Sequence, residues 1–342
     1  MRVEPDDPTM DWNVEGVYEV EPGLYRIPMP LPMDGLKAVN VYALRDGDGL
    51  VLIDSGWSIE DARVVLEKAL AALGHSIGDV HRFLITHVHR DHYTMAVLLR
   101  REFGNRISLG VGEQTSIRIS ADPTRAPWAS LLIQLRLGGG EKLLTDLLDG
   151  ESRHDASIWE DPDDWLAAPA DIPLRERTLQ AVATPGHTRG HLVFVDADRD
   201  AMFAGDHVLP HITPSVGFEP DLAHSPLGDY LQSLRMVRGM PDRRLLPAHG
   251  PVSPSVHARV DELLEHHAVR LDEMAAAIAA GASTGFETAG LVTWTRRGRR
   301  LGELDPFNQC MAVAETSAHL DLLAEQGRLV RTELDGVRHY TT

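Results

Sequence analysis

The chain has 342 residues, 43% of them hydrophobic and 25% charged, which predicts about two domains with a core that needs no disulfide to be stable. No run of residues approaches the roughly 18 apolar residues of a membrane span, so the composition excludes an integral membrane protein. The 51 acidic and 33 basic residues give a net charge of −18, which repels a phosphate backbone and disfavours nucleic-acid binding.

The first elements predicted along the chain are a hairpin and a helix. After an acidic leader (residues 1–16), two Asp-Gly pairs separate two β-rich runs, and such pairs accept the positive φ of a tight hairpin turn. The two strands are expected at residues 39–44 and 50–53. Apolar residues at helical spacing then predict a helix that Ser58 caps and Gly74 ends.

A cluster of histidines follows a predicted strand. Residues 82–86 form a short apolar run that leads directly into the histidines, and helical spacing resumes over residues 95–103. Residues 112–173 then change to irregular helical pieces rich in Leu, Trp and Gly, which predicts an inserted cap. Trp128, Trp165 and the leucines of this insert either wall a pocket for an apolar ligand or pack the insert on itself.

Strand character returns in the second half of the chain, and most of these strands run into a loop that contains glycine. The strands are expected at residues 179–184, 192–196, 201–204 and 245–248. Further helices are expected at residues 131–137, 143–148, 227–238, 253–280 (with Ser253 as cap) and 307–326. A hairpin over residues 329–340 ends the chain, and helices followed by such a hairpin predict a small winged-helix-like domain at 256–342.

Four residues with metal-ligand side chains fall within six positions: His87, His89, Asp91 and His92. At a strand end and in a tight loop their side chains lie within a few ångströms of one another, and they offer nitrogen and oxygen ligands that suit Zn, Mn, Fe or Co. Three later residues share one setting, a glycine-containing loop at a predicted strand end: His187, Asp206 and His249. The combination predicts a metal site.

These motifs resemble the pattern of the metallo-β-lactamase superfamily, which is Thr-His-x-His-x-Asp-His, then Gly-His, Gly-Asp and His-Gly. The matching positions are residues 86–92, 186–187, 205–206 and 249–250. Residues 52–56 and 184–191 also look like motifs of that family, and the resemblance covers roughly residues 17–255. It implies an α+β fold, the αβ/βα sandwich, for a catalytic domain at 17–255 that carries the insert.

The resemblance also implies two divalent metal ions, with zinc as the expected metal and iron or manganese as alternatives. The expected ligand sets are His87, His89 and His187 for one ion, and Asp91, His92 and His249 for the second. Asp206 would bridge the ions, and a metal-bridging hydroxide would attack the substrate. Asp91 would carry the proton to the leaving group, and Asp54 is the candidate that orients a ligand histidine. His191 is expected to be structural.

Four residues shortly after Asp206 are candidate substrate contacts: His207, His211, His224 and Tyr230. The alternative is that they only supply hydrogen bonds to a proline-rich loop. The long insert favours a covered, partly apolar pocket, and this suits a thioester, ester or lactone of a bulky substrate. A secreted β-lactamase is disfavoured, because no signal peptide precedes the chain and no cysteine occupies a ligand position.

Two other functions stay open at this point. A metal-dependent nuclease or phosphodiesterase could use the basic cluster at residues 296–300, although such a run is usually a solvated face. A non-catalytic, metabolite-sensing regulator could use the winged-helix-like tail. We expect a small-molecule substrate and no membrane, and the tail and the long preceding helix suggest a homodimer. The single cysteine, Cys310, cannot form an internal disulfide, and a cytoplasmic location is expected.

Overall fold

The computed structural model describes residues 1–32, 35–126, 128–144, 155–295 and 297–342. The strands within these ranges are β1 (Val3–Pro5), β2 (Val17–Glu21), β3 (Leu24–Pro30), β4 (Ala38–Asp46), β5 (Gly49–Ile53), β6 (Val80–Leu84), β7 (Arg106–Gly110), β8 (Asp164–Leu166), β9 (Ala170–Pro173), β10 (Thr178–Ala183), β11 (Leu192–Asp196), β12 (Ala201–Gly205), β13 (Arg244–Pro247), β14 (Val330–Leu334) and β15 (Val337–Thr341). The helices are α1 (Glu60–Ala72), α2 (Arg90–Phe103), α3 (Gln114–Ser120), α4 (Ala129–Leu137), α5 (Pro226–Arg238), α6 (Val256–Ala279), α7 (Gly285–Leu291) and α8 (Pro306–Glu325).

Two sheets pack face to face between layers of helices. The first has eight strands in the order β1 to β8, and the second has five in the order β13-β12-β11-β10-β9. Apolar side chains of both sheets share a core, in which the rings of Tyr42 and Phe203 meet edge to face at 5.4 Å. The outer face of the first sheet buries α1 and α2, and that of the second buries α5 and α6. The predicted αβ/βα sandwich is thus confirmed.

Most predicted elements are present, but two predicted helix caps are wrong. The β4–β5 hairpin turns at Gly47 (φ +67°), and Gly74 ends the α1 segment as expected (φ +81°). Ser58 does not cap α1, because the helix begins one residue later, with Ile59 at the N-cap and no side-chain cap hydrogen bond. Ser253 is held by backbone hydrogen bonds to Leu245, and the cap of α6 is Ser255, whose hydroxyl accepts from the Ala258 N–H.

The leader and the end of the insert contribute strands to the sheets. In the leader, β1 pairs in parallel with β2, and the buried Asp6 carboxylate accepts two hydrogen bonds from the Arg26 guanidinium. In the insert, β8 and β9 form the edges of the first and second sheets. The helical part of the insert therefore ends before residue 164. The helix expected at 143–148 lies mostly outside the described residues. Arg296 of the basic cluster also lies outside them.

The C-terminal segment has the predicted helix α8 and the predicted hairpin β14–β15. Its apolar residues belong to one core with α4, α5, α6 and the second sheet. The predicted boundary at residues 255/256 stays a prediction. Within the described residues, no helix is both long and apolar enough to cross a membrane.

One carboxylate ties the terminal hairpin to α8. Asp321, 7% exposed, accepts hydrogen bonds from Arg331 and Tyr340, both at 2.8 Å, and from Arg338. Tyr340 is itself buried at 1% exposure, so its hydroxyl has no access to water if Asp321 is lost.

We therefore expect Asp321→Ala to lower the free energy of unfolding by about 2–3 kcal/mol in urea denaturation. The matched control is Asp272→Ala, which breaks an exposed ion pair with Arg328 and should cost less than about 0.5 kcal/mol. Equal losses for the two variants would contradict this anchoring role.

Candidate metal centre

The seven predicted ligand residues come together where strands of both sheets end. The histidine motif follows β6 and enters α2, and His187 follows β10. Asp206 and His249 follow β12 and β13, which run parallel, so their carboxyl ends lie at one edge of the second sheet. The arrangement of the strands therefore brings residues that are far apart in the chain into one cluster.

Three imidazole nitrogens of this cluster converge on one point. His187 Nε2 lies 3.2 Å from His87 Nε2 and 3.0 Å from His89 Nδ1. Asp206 Oδ2 lies 3.4 Å from the same His187 nitrogen. Two nitrogens that bind one zinc ion at about 2.0–2.1 Å in tetrahedral geometry are about 3.3 Å apart. This spacing fits a single cation held by three nitrogens and one oxygen.

A second group faces the other oxygen of Asp206. Asp206 Oδ1 lies 3.4 Å from His249 Nε2 and 3.7 Å from His92 Nε2. Asp91 Oδ2 lies 3.4 Å and 3.5 Å from these same nitrogens. The two carboxylate oxygens of Asp206 thus point to two different sets of ligand atoms, as a bridging residue requires.

The outer nitrogen of each ligand histidine is held by an oxygen. Four of these oxygens are pure acceptors, which requires the outer nitrogen to carry the proton and leaves the inner lone pair free for a cation. The pairs are His89 with the Phe218 carbonyl (2.9 Å), His92 with Asp54 (2.9 Å), His187 with the Ser215 carbonyl (2.7 Å), His249 with the Ala38 carbonyl (2.7 Å) and His87 with the Thr86 hydroxyl (3.0 Å).

Several inner atoms of the second group lack a partner. His92 Nε2, His249 Nε2 and Asp206 Oδ1 are buried and make no hydrogen bond to any described residue. Orphaned polar atoms are costly in a protein interior and are usually explained by a missing water or ion. A divalent cation fits these atoms, because nitrogen and oxygen ligand atoms lie close together here, with Asp206 Oδ1 at 3.4 Å from His249 Nε2 and 3.7 Å from His92 Nε2.

The charges of the two groups differ. Burial lowers the pKa of His89 to about 3, and burial with the neighbouring histidines also lowers the pKa of His87. Burial opposes the charge of His92 as well, yet Asp91, Asp54 and Asp206 together raise its pKa to about 10. The Asp206 and Asp91 carboxylates likewise raise the pKa of His249. Without a cation, the second group therefore holds protons that a cation would replace.

Two buried neighbours, Asp54 and His191, hydrogen-bond to the cluster. Asp54 is buried in a left-handed backbone conformation (φ +61°) and accepts hydrogen bonds from the Thr86 N–H at 2.8 Å and from His92. His191 accepts from the Asp206 N–H at 3.1 Å and donates to the Thr184 hydroxyl at 2.8 Å. Both nitrogens of His191 are thus engaged in hydrogen bonds within the chain.

The four candidate substrate contacts fall into two buried and two exposed residues. His207 and Tyr230 are fully buried, and the Tyr230 hydroxyl donates to the His207 carbonyl. Tyr230 packs under the His187 loop so closely that a Cβ at Gly186 would lie 2.4 Å from its Cα. These two side chains support the loop and offer no surface to a substrate. His211 is exposed, and the 85% exposed His224 lies 3.5 Å from Glu325.

Sequence analysis missed the acceptors at Ser215, Phe218 and Ala38. They are backbone carbonyls, which every residue possesses, so no residue pattern marks them. The only available signal was the proline-rich character of residues 210–226, which indicates an ordered loop near Asp206.

Residues 34–249 match the family model of the Metallo-beta-lactamase superfamily. Because this match covers more than half of the chain, the protein belongs to that superfamily. The prediction of a metallo-hydrolase of this class is confirmed, whereas the winged-helix comparison for the C-terminal segment gains no support.

Individual relatives agree with this assignment. A crystal structure of a metallo-beta-lactamase family protein from Thermus thermophilus superimposes with a TM-score of 0.77 at 29% identity, over 94% of this chain and 99% of that one. The probable metallo-hydrolase YqjP of Bacillus subtilis is 24% identical over 87% of this chain and 90% of its own length. An atrochrysone carboxyl ACP thioesterase of Aspergillus fumigatus is 26% identical over 71% of this chain, which spans 45% of that protein.

Loss of the Asp54 charge should weaken metal binding. We expect Asp54→Asn to lower the affinity for zinc by about 10- to 100-fold, because His92 loses its charged acceptor while asparagine still tolerates the left-handed backbone. Competition with a chromophoric chelator measures this affinity. The control Asp196→Asn removes a buried carboxylate at the far end of β11 and should leave zinc affinity unchanged. Wild-type affinity in Asp54→Asn would contradict the orienting role.

Metal binding should also release protons. His92 has a pKa of about 10 without a cation, and the Asp206 and Asp91 carboxylates raise the pKa of His249. Binding at pH 7 should therefore displace the proton of His92 and any proton that His249 carries, and the affinity should fall as the pH falls. Calorimetric titration with zinc in two buffers of different ionisation enthalpy measures the number of protons released. A binding heat that does not depend on the buffer would show that these sites were already neutral.

Proposed function

We propose that the protein is a dinuclear metal-dependent hydrolase that cleaves a thioester or ester of a bulky, partly apolar substrate. The observation that carries this proposal is the position of Asp206, whose Oδ2 and Oδ1 face two separate sets of imidazole nitrogens. The similarity to a protein named as an ACP thioesterase supports a thioester as the bond that is cleaved.

Two divalent ions held by these residues, with zinc as our proposal and iron or manganese as alternatives, would supply a water nucleophile at neutral pH and polarise the carbonyl under attack. The chain itself contributes negative charge and fixes the orientation of the ligand side chains. Asp206 and Asp91 bring the negative charge, and the five outer hydrogen bonds fix the imidazole rings. The nearby histidines keep the pKa of Asp91 low despite its burial, so this side chain is a carboxylate at neutral pH.

The open side of the site supports an approach route for the substrate. His89 and Asp91 are partly exposed, while His87, His92 and His187 are buried at 2% exposure or less. A substrate carbonyl therefore reaches the site past His89 and Asp91. We propose that Asp91 takes the proton of the attacking water and passes it to the leaving thiolate or alkoxide.

Among the described residues, we find no contact that favours the other functions predicted from the sequence. Arg300 of the basic cluster donates to the Leu291 carbonyl at 2.9 Å, which is a local structural contact. A nucleic-acid substrate and a regulatory role through a winged-helix tail remain alternatives to the hydrolase proposal. A cytoplasmic location and a homodimer also stay predictions.

The proposal predicts the behaviour of an Asp206→Ala variant. Zinc-loaded wild-type protein should release thiol from acyl-CoA thioesters. In Asp206→Ala the rate of thiol release should fall at least about 1000-fold, because this variant lacks the carboxylate that faces both sets of ligand atoms. Thiol release is followed with a colorimetric thiol reagent, and circular dichroism checks the fold. The control His257→Ala changes a histidine on α6 and should retain full activity.

A phosphodiester assay in parallel distinguishes the alternative. Cleavage of an activated phosphodiester with no thiol release would overturn the thioester proposal in favour of a phosphodiesterase. Undiminished thiol release by Asp206→Ala, or by metal-depleted protein, would overturn the metal-dependent mechanism.

A further inference from the structure

Three aromatic side chains from distant parts of the chain form one cluster. The ring of Trp128, at the start of α4, lies 5.6 Å from Phe307 on α8 and 6.4 Å from Phe218. Phe218 and Phe307 meet edge to face at 5.9 Å. All three residues are partly exposed. We call Trp128, Phe218 and Phe307 the aromatic wall.

The aromatic wall adjoins the metal centre on its open side. The Phe218 ring centroid lies 6.0 Å from that of His89, and the Phe218 carbonyl accepts the hydrogen bond of His89 Nε2. His89 is one of the two partly exposed ligand residues. Partly exposed rings beside a few fixed polar groups are the usual composition of a small-molecule site.

The loop that carries Phe218 is fixed by α4. On one face of this helix, the Ser130 hydroxyl donates to the Pro220 carbonyl at 2.8 Å and the Gln134 amide donates to the Gly217 carbonyl at 2.6 Å. These two carbonyls flank Phe218. The position of the ring is therefore set by the insert before any ligand binds, which lowers the entropic cost of binding.

Trp128 has an uncommon backbone conformation. Its φ of +59° places a bulky residue in the left-handed region at the N-cap of α4. Such a conformation costs of order 1 kcal/mol or more and persists only where the surroundings enforce it, often at a ligand site. Here it directs the indole ring towards Phe307 and Phe218.

From these contacts we propose that the aromatic wall binds the acyl group of the substrate and selects planar, aromatic acyl groups over short aliphatic ones. This inference rests on the proposed function, in which Asp91 serves the leaving group. The aromatic wall lies beside His89, which belongs to the ligand set that does not contain Asp91. Because Asp91 serves the leaving group, the aromatic wall contacts the acyl side of the scissile bond. Phe307 brings the C-terminal segment into the substrate site as a specificity-determining element.

The test compares S-benzoyl and S-acetyl thioesters of the same thiol on zinc-loaded protein. Wild type should prefer the benzoyl substrate, and Phe307→Ala should reduce that preference about tenfold, mainly through a higher KM for the benzoyl thioester. Trp128→Ala should act in the same direction, and Phe307→Leu should have a smaller effect because it keeps apolar volume. The control Phe286→Ala removes an exposed aromatic ring on α7 and should not change the preference.

Calorimetric titration with 2-naphthoate, an aromatic acid like the expected product, measures binding at the aromatic wall independently of hydrolysis. Wild type should bind 2-naphthoate about tenfold more tightly than Phe307→Ala does, with no change in Phe286→Ala. Binding that depends on Phe307 while neither thioester is cleaved would support the aromatic wall and overturn the hydrolase proposal. Unchanged 2-naphthoate binding in Phe307→Ala, or an equal loss of benzoyl and acetyl hydrolysis, would overturn the aromatic wall.

Discussion

An imidazole ring has only two nitrogens, and this constraint organises the whole centre. Once the outer nitrogen of a histidine donates to a fixed oxygen, only the inner nitrogen is left to face the interior of the cluster, where it binds either a proton or a cation. His89, His92, His187 and His249 all obey this rule. The resulting convergence of imidazole nitrogens and carboxylate oxygens leaves buried atoms without a hydrogen-bond partner among the described residues, so the hydrogen bonds that shape the site also create its demand for metal.

Those hydrogen bonds depend on loops, and the loops depend on the rest of the fold. The strands of the two sheets bring the ligand residues to one end of the sandwich. The carbonyls of Ser215 and Phe218 belong to the loop between β12 and α5, which the insert helix α4 holds from the other side. Since α4 packs against α8 in one apolar core, the C-terminal segment stabilises the loop that orients His187 and His89.

The ligand residues could be found from the sequence because their spacing is a property of the chain itself. His87 to His92 share one strand end, and His187, Asp206 and His249 stand beside glycines, so local patterns marked the candidate ligands. The sandwich of two sheets was implied by the family resemblance. The supporting contacts are not local. A backbone acceptor such as Ser215 has no side-chain signature, and the contact of Phe218 with Phe307 exists only after α8 has packed. The burial of Tyr230 likewise depends on tertiary packing rather than on its position after Asp206.

The central claim is that Asp206 stands between two metal ions. Anomalous diffraction from crystals grown with zinc tests it most directly, because each bound ion gives its own peak. The account predicts two peaks about 3.5–4 Å apart. One should lie among His87, His89 and His187, the other among Asp91, His92 and His249, with an oxygen of Asp206 coordinating each. A single peak in fully zinc-loaded crystals, or two peaks with Asp206 bound to only one of them, would contradict the account.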